Sequence, residues 1–299
     1  MTALATETAF AGAGIYDGMP EGVYHSDPVP AGSLSSSGAR NLLPPSCPAR
    51  FRYEAGNPPL PKDSFELGSA AHKLVLGAGA EITVIKAANW RTDAAKNERD
   101  AARAEGYLPL LAAEHEVVKA MAAALRKHPV ASALFDPENG KPEQSLFWQD
   151  PETGVIRRSR LDWLPDANAR GRLIVADYKT CVSASPEAIA KSAANYGYHQ
   201  QDPWYRDGVR ALGLSADPAF LFVFQEKEPP YLITIAELDA DAVRLGRELN
   251  RLAIEVYRDC VQTGIWPGYE AEALRAGRRA GIEHISLPPW AFRKLEESR

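Results

Sequence analysis

Cysteine is scarce: Cys47, Cys181 and Cys260 are the only three in 299 residues, far apart and odd in number. They cannot build a disulfide framework, a four-thiolate zinc site or a cysteine-held iron–sulfur cluster without other ligands. No run of about 18 apolar residues is present, so no membrane-spanning helix is expected. The first residues lack a charged segment followed by an apolar one, so no secretory leader is expected and the cytoplasm is the expected compartment. Positive charge is not in surplus. The 34 Lys and Arg against 39 Asp and Glu give a net charge of −5, which argues against polyanion binding by the whole surface but leaves room for a local basic groove. Also absent are Gly-x-x-x-x-Gly-Lys-Ser/Thr, Gly-x-Ser-x-Gly and His-Glu-x-x-His, while Gly12-x-Gly14 and Gly77-x-Gly79 lack the third glycine and preceding strand of a dinucleotide site. ATP-driven translocation, triad hydrolysis and nicotinamide chemistry drop out, and no nucleotide cofactor is expected.

What is present is a globular composition, 45% apolar and 24% charged, in a length that suits one enlarged α/β domain or two average ones. Residues 1–32 are rich in Ala, Gly, Thr and Pro and predict a mobile or loosely docked arm. Residues 33–299 predict a single domain. Its first half reads as helical: a serine-capped helix from Ser33 to Leu43, a short one from Cys47 to Glu54, one from Phe65 to Leu76, and helices at 94–105 and 111–127, the last ended by His128-Pro129. From Gln144 the pattern changes to strands at 145–148, 155–164 and 172–176, an antiparallel meander. Helices at 186–195 and 199–212, strands at 220–224 and 231–235, and a long amphipathic helix at 239–261 complete the reading.

The segment that carries chemistry is Arg160-Leu-Asp162-Trp-Leu followed by Leu173-Ile-Val-Ala-Asp177-Tyr-Lys179-Thr. Side chains at i and i+2 of a strand share a face, so Asp177 and Lys179 can reach one site. No other lysine in the chain has an acid two positions before it. A surface salt bridge at a strand end is the plain alternative. Two carboxylates and a lysine are also what phosphodiester hydrolysis needs: oxygen ligands for a hard divalent cation, an activated water, and a cationic group. Lys179 is suited either to orienting and deprotonating the water or to stabilising the developing charge. Arg40, Arg50 and Arg52, interleaved with Phe51 and Tyr53, are suited to binding a nucleic-acid backbone and stacking bases.

The ordered set Leu34-Ser-Ser-Ser-Gly38, Cys47-Pro-Ala-Arg-Phe51, Gly68-Ser-Ala-Ala-His72, Glu143 to Trp148, Asp162, Asp177-Tyr-Lys-Thr180, Gln201-Asp-Pro-Trp-Tyr205 and Leu287-Pro-Pro-Trp290 resembles the PD-(D/E)xK nuclease superfamily. Within it, the set is similar to the RecE-type (exonuclease VIII-like) branch of phage and prophage exonucleases, over residues 33–292. The resemblance implies an α/β, restriction-endonuclease-like core with a central mixed β-sheet flanked by helices. It implies a metal held by His72, Asp162, Asp177 and the backbone carbonyl of Tyr178, with Lys179 as the catalytic lysine and Glu143 near a metal-bound water or a second ion. Mg²⁺ is the implied ion, with Mn²⁺ as a substitute, and no iron–sulfur cluster. Gln201 and Tyr205 resemble the residues lining a DNA cleft, and Ser35 and Ser37 those gripping a terminal 5′-phosphate. Leu161 departs from the family, which often has proline before the first core aspartate.

The activity so implied is 5′→3′ degradation of linear double-stranded DNA, leaving 3′ single strands for annealing-type recombination. Its implied partners are DNA ends, a RecT-like single-strand annealing protein and further copies of the chain in a ring-like homo-oligomer. The alternatives are an endonuclease of the same superfamily, structure-specific or of the CRISPR-adaptation kind, and a catalytically silent module that binds DNA ends.

Overall fold

A computed structural model describes residues 10–57, 63–166, 172–269 and 285–290. Its first half comprises β1 (Gly14–Tyr16), α1 (Glu21–His25), β2 (Leu34–Ser35), α2 (Ser36–Asn41), α3 (Pro48–Gly56), α4 (Asp63–Leu76), β3 (Ile82–Ile85), α5 (Asp93–Ala104), β4 (Leu108–Leu111), α6 (Ala112–Lys127) and α7 (Pro129–Leu134). The second half comprises β5 (Gly140–Gln149), β6 (Ile156–Pro165), β7 (Ile174–Cys181), α8 (Pro186–Tyr196), α9 (Tyr198–Ala211), β8 (Ala219–Glu226), β9 (Ile233–Ala236) and α10 (Ala240–Thr263).

The sheet runs β1-β5-β6-β7-β8-β9, with β2 attached to β6. The expected meander β5-β6-β7 is antiparallel, whereas β7 and β8 pair in parallel from Ile174↔Ala219 to Cys181↔Glu226, so the sheet is mixed. A parallel pair needs a crossover, which α8 and α9 supply. Helix starts follow the local chemistry: Ser185 caps α8 ahead of Pro186, and Asp239 caps α10 by accepting the Ala242 N–H at 2.8 Å.

Apolar side chains cover both faces of the sheet. On one face Leu146, Trp148, Phe220 and Phe222 pack with Trp204 of α9 and Ile254 and Tyr257 of α10. On the other, Trp163, Ala176, Tyr178 and Val223 pack with Ala70 and Ala71 of α4 and Val118 and Met121 of α6. Pro203 lies inside α9 and has no N–H for the carbonyl of His199, four residues earlier. Helix α10 approaches that carbonyl at Gly246, where a Cβ would sit 1.6 Å from the oxygen. Gln200 and Asn250 join the same two helices: the Asn250 amide donates to the Gln200 carbonyl at 2.8 Å. Gly246→Ala is therefore expected to push α9 and α10 apart and cost about 3 kcal/mol or more, read as a lower urea midpoint at unchanged slope.

Two expectations need correction. The arm is not loose over residues 10–32: β1 pairs antiparallel with β5, and Met19, Tyr24 and Val29 are buried around Phe147. Few apolar residues suffice because these are buried almost completely, at about 1.5–3 kcal/mol for a large side chain. Residues 1–9 lie outside the described residues. The second correction is at the helix expected from Ser33 to Leu43: Leu34–Ser35 pairs in parallel with β6 as β2, and α2 begins only at Ser36. Helix α6 ends at His128-Pro129 as expected, and Pro129 also opens α7, where His128 Nδ1 accepts the Ala131 N–H at 3.2 Å and caps the new helix. The short parallel pair β3–β4, from Ile82↔Leu108 to Ile85↔Leu111, is an addition to the expected elements.

Candidate active site

The site begins with a fork in the sheet. Strands β6 and β7 pair only at Trp163↔Ala176, so the second half of β7 runs without a backbone partner on that side. The Tyr178 N–H, which a continued ladder would have occupied, donates instead to Asp162 Oδ2 at 2.8 Å. Residues 177 and 179 fall on one side of β7. Lys179 Nζ lies 2.5 Å from Asp177 Oδ2, and Gln201 of α9 donates to Asp177 Oδ1 at 2.6 Å. The Tyr178 side chain goes the other way, into the core, where its hydroxyl donates to Gln225 at 2.6 Å.

Two more elements close on Asp162. Helix α4 brings His72, whose Nδ1 is 3.7 Å from Asp162 Oδ2 and whose ring lies edge-on to Tyr178 at 5.0 Å. Gly68, one turn earlier, has room for this approach: a Cβ there would meet only Thr180 Oγ1, at 3.4 Å. Strand β5 brings Glu143, which the flanking pairs Pro142↔Trp163 and Gln144↔Leu161 place opposite Asp162. Glu143 has φ of 53°, in the left-handed region that a non-glycine residue seldom adopts, and such strain gathers at functional sites. Arg160, from the same strand as Asp162, holds it there through an ion pair with the Glu143 carboxylate and also donates to the Met19 carbonyl at 2.8 Å and to Ser145 Oγ at 3.1 Å. The docked N-terminal segment is thus part of the support for Glu143.

Ligand-type atoms of His72, Glu143 and Asp162 lie within 4.8 Å of one another. This trio differs from the expected ligand set. Asp177 is outside this close trio, held between Lys179 and Gln201, and Glu143 is inside it. Burial drives the electrostatics. It pushes the carboxyls of Asp162 and Asp177 up to about 6, against the pull of Lys179. Burial also lowers His72, with Lys179 adding to the effect, which favours the neutral imidazole with a lone pair to offer. For Lys179, burial works downward but Asp177 and Asp162 outweigh it, and the ammonium is held well above the ordinary lysine range. The donor set of one neutral imidazole and desolvated carboxylates fits a divalent cation, which would relieve the crowding of negative charge.

A cleft of about 720 Å³ opens over this cluster. Its walls include His72, Glu143, Asp162, Lys179, Gln201, Tyr205, Ser35, Ser37 and Arg40, so most of the residues expected from sequence meet in one place. Ser35 caps α2 by accepting the Gly38 N–H at 3.1 Å, and its Oγ lies 3.2 Å from that of Ser37. Arg40 donates to the Tyr196 carbonyl at the cleft wall. Arg50 and Arg52 are the exceptions among the expected DNA contacts: both are exposed on α3 and neither lines the cleft. Glu21, His25 and Arg160, to which the sequence assigns no role, also line it. Arg160 had a signal, since it stands two residues before Asp162 on the strand, the same spacing that tied Lys179 to Asp177.

A mixed sheet flanked by helices, forked where an aspartate and an Asp-x-Lys pair converge, defines the PD-(D/E)xK class of fold. The family described as a PDDEXK-like domain of unknown function (DUF3799) matches residues 35–277, and the chain belongs to that family and, through it, to the PD-(D/E)xK nuclease superfamily. The crystal structure of a "putative exonuclease" from Eubacterium rectale superposes with a TM-score of 0.59 at 13% identity, covering 90% of this chain and 96% of that one, which establishes likeness of fold. A second crystal structure, SSO0001, covers 63% of this chain and 85% of its own at 16% identity, but its TM-score of 0.27 carries no argument. No curated protein matches the chain. Among the described residues no helix is long and apolar enough to cross a membrane.

Proposed function

We propose that the chain is a Mg²⁺-dependent exonuclease, with Mn²⁺ as a substitute ion, that hydrolyses linear double-stranded DNA in the 5′→3′ direction and leaves 3′ single strands. The observation that carries this reading is the shared cleft: His72, Glu143, Asp162 and Lys179 open into the same space as Ser35, Ser37 and Arg40. His72, Glu143 and Asp162 would hold the cation. Once bound, it would polarise a phosphate oxygen and lower the pKa of a water. Lys179, kept protonated by Asp177 and Asp162, has no lone pair to accept a proton, so of its two roles charge stabilisation at the phosphate is the one its environment supports. Asp177 and Gln201 orient that ammonium through the contacts on Asp177 Oδ2 and Oδ1. The serines at the start of α2 and the Arg40 guanidinium are suited to a terminal phosphate. Exonuclease action is further supported by the Eubacterium rectale protein of like fold. A 3′ single strand is what a single-strand annealing protein takes up, and a ring of copies would keep the DNA threaded; both belong to this proposal.

The test is a linear duplex labelled at the 5′ end of one strand, incubated with Mg²⁺ beside a covalently closed circle. Early release of labelled short product with the circle intact is expected. Retention of the 5′ label until the end of digestion would reverse the polarity, and cutting of the circle would make the protein an endonuclease.

A further inference from the structure

A second cavity, of about 790 Å³, opens beside the catalytic cleft and shares His25, Ser35 and Ser37 with it. One wall is aromatic. Trp266 stacks on Phe51 with ring centroids 5.7 Å apart and planes 21° apart, and Tyr257 meets Trp266 edge-on at 6.0 Å. The wall is anchored on both sides. The Ala49 N–H donates to the Pro267 carbonyl at 3.0 Å, pinning the segment after α10 to α3, and Gly38 of α2 lies so near Phe51 that a Cβ would be 3.0 Å from its ring. The Arg52 guanidinium sits 5.5 Å from the centre of the Trp266 ring and forms no ion pair among the described residues. The cavity's other charges are occupied: Asp27 pairs with Arg158 at 2.7 Å, and Glu54 accepts from Asn41 at 3.4 Å.

Two cations against two carboxylates leave this groove neutral overall, unlike a track for duplex phosphates. Aromatic rings beside a guanidinium are suited to the flat faces of bases. Those faces are free only where a strand is unpaired. We infer that this groove holds unpaired nucleotides of the DNA whose phosphodiester occupies the catalytic cleft, with a base stacked against the Trp266–Arg52 wall. The inference rests on the nuclease reading, and adds that the protein engages a frayed or single-stranded stretch next to the bond it cuts.

The experiment compares the affinity of the full chain for a blunt duplex and for duplexes carrying an oligo-dT extension on either the 5′ or the 3′ strand, by fluorescence anisotropy in a chelator. One of the extensions is expected to tighten binding about tenfold, as one stacked base would. Trp266→Ala should lose that gain. Trp266→Phe, which keeps a ring against Phe51 and guards against loss of folding in the alanine variant, should retain most of it. Arg52→Ala should reduce the gain and lower the slope of log affinity against log salt by about 0.7. No gain from either extension, or a gain that survives both Trp266→Ala and Arg52→Ala, would overturn the groove. Mg²⁺-dependent cleavage of the blunt duplex, assayed in parallel, separates the two readings: cleavage without an extension effect defeats the groove alone, and an extension effect without cleavage defeats the nuclease alone.

Discussion

Lys179→Ala is expected to lower the turnover of phosphodiester cleavage by roughly a hundredfold to a thousandfold, the usual loss when one preorganised charge stabiliser is removed. The ammonium is held in place by Asp177 at 2.5 Å and is kept protonated by the same carboxylate and Asp162. Removing it takes away the cation paired with Asp177 and leaves that carboxylate, only 1% exposed, with Gln201 as its remaining polar side-chain partner. The expected signature is a fall in kcat with little change in KM, measured on linear duplex DNA with saturating Mg²⁺. Lys179→Arg should not rescue, because the planar fork is larger than the ammonium it replaces and cannot reproduce a point charge at that spot. A variant that loses activity only by losing its fold would show it in the thermal melt, so the kinetic comparison is made on protein with a cooperative transition.

Asp162→Asn is expected to abolish cleavage and yet make the metal-free protein more stable at neutral pH. Its carboxyl is pushed up to about 6 by burial, above the ordinary aspartate value that the unfolded chain keeps. Below about pH 4 the group is protonated in both states and contributes nothing. As pH rises from about 4 to about 6 the unfolded chain ionises first, so stability falls, and above about 6 the loss is complete. A shift of this size costs about 3 kcal/mol, and Asp177, also raised to about 6, adds a cost of the same sign. Asparagine carries no charge and can still accept the Tyr178 N–H. In a chelator at pH 7.5 the variant should therefore melt several degrees above the parent, with the difference shrinking at pH 5. Mn²⁺ should reverse the order at pH 7.5 by raising the melting temperature of the parent alone, and should do little for either protein at pH 5. Equal metal-induced shifts in parent and variant would remove Asp162 from the metal site.

Much of the site was legible because its residues obey local rules. The i, i+2 spacing put Asp177 and Lys179 on one face, and one helical turn separates Gln201 from Tyr205, both of which line the cleft. What was not legible depends on the sheet as a whole. That β6 and β7 separate after a single pair, and that Asp162 fills the resulting vacancy on the Tyr178 N–H, is a matter of strand twist and register. The same register puts Glu143 opposite Asp162, which is why Glu143 and not Asp177 completes the close trio. The N-terminal segment misled for a different reason. Its average composition is poor for packing, but Met19, Tyr24 and Val29 are concentrated on one target, Phe147, and the Met19 carbonyl meets Arg160. Averages over a window do not register three residues that share one contact.

We propose that these side chains form a metal-dependent phosphodiesterase centre. It is tested most directly by following the loss of linear duplex DNA with Mg²⁺, with Mn²⁺ and with a chelator, for the parent protein and for Asp162→Asn and Lys179→Ala. Degradation by the parent with either ion, none in the chelator, and little or none by either variant is the expected result. Degradation that persists in the chelator, or that survives both substitutions in well-folded protein, would contradict it.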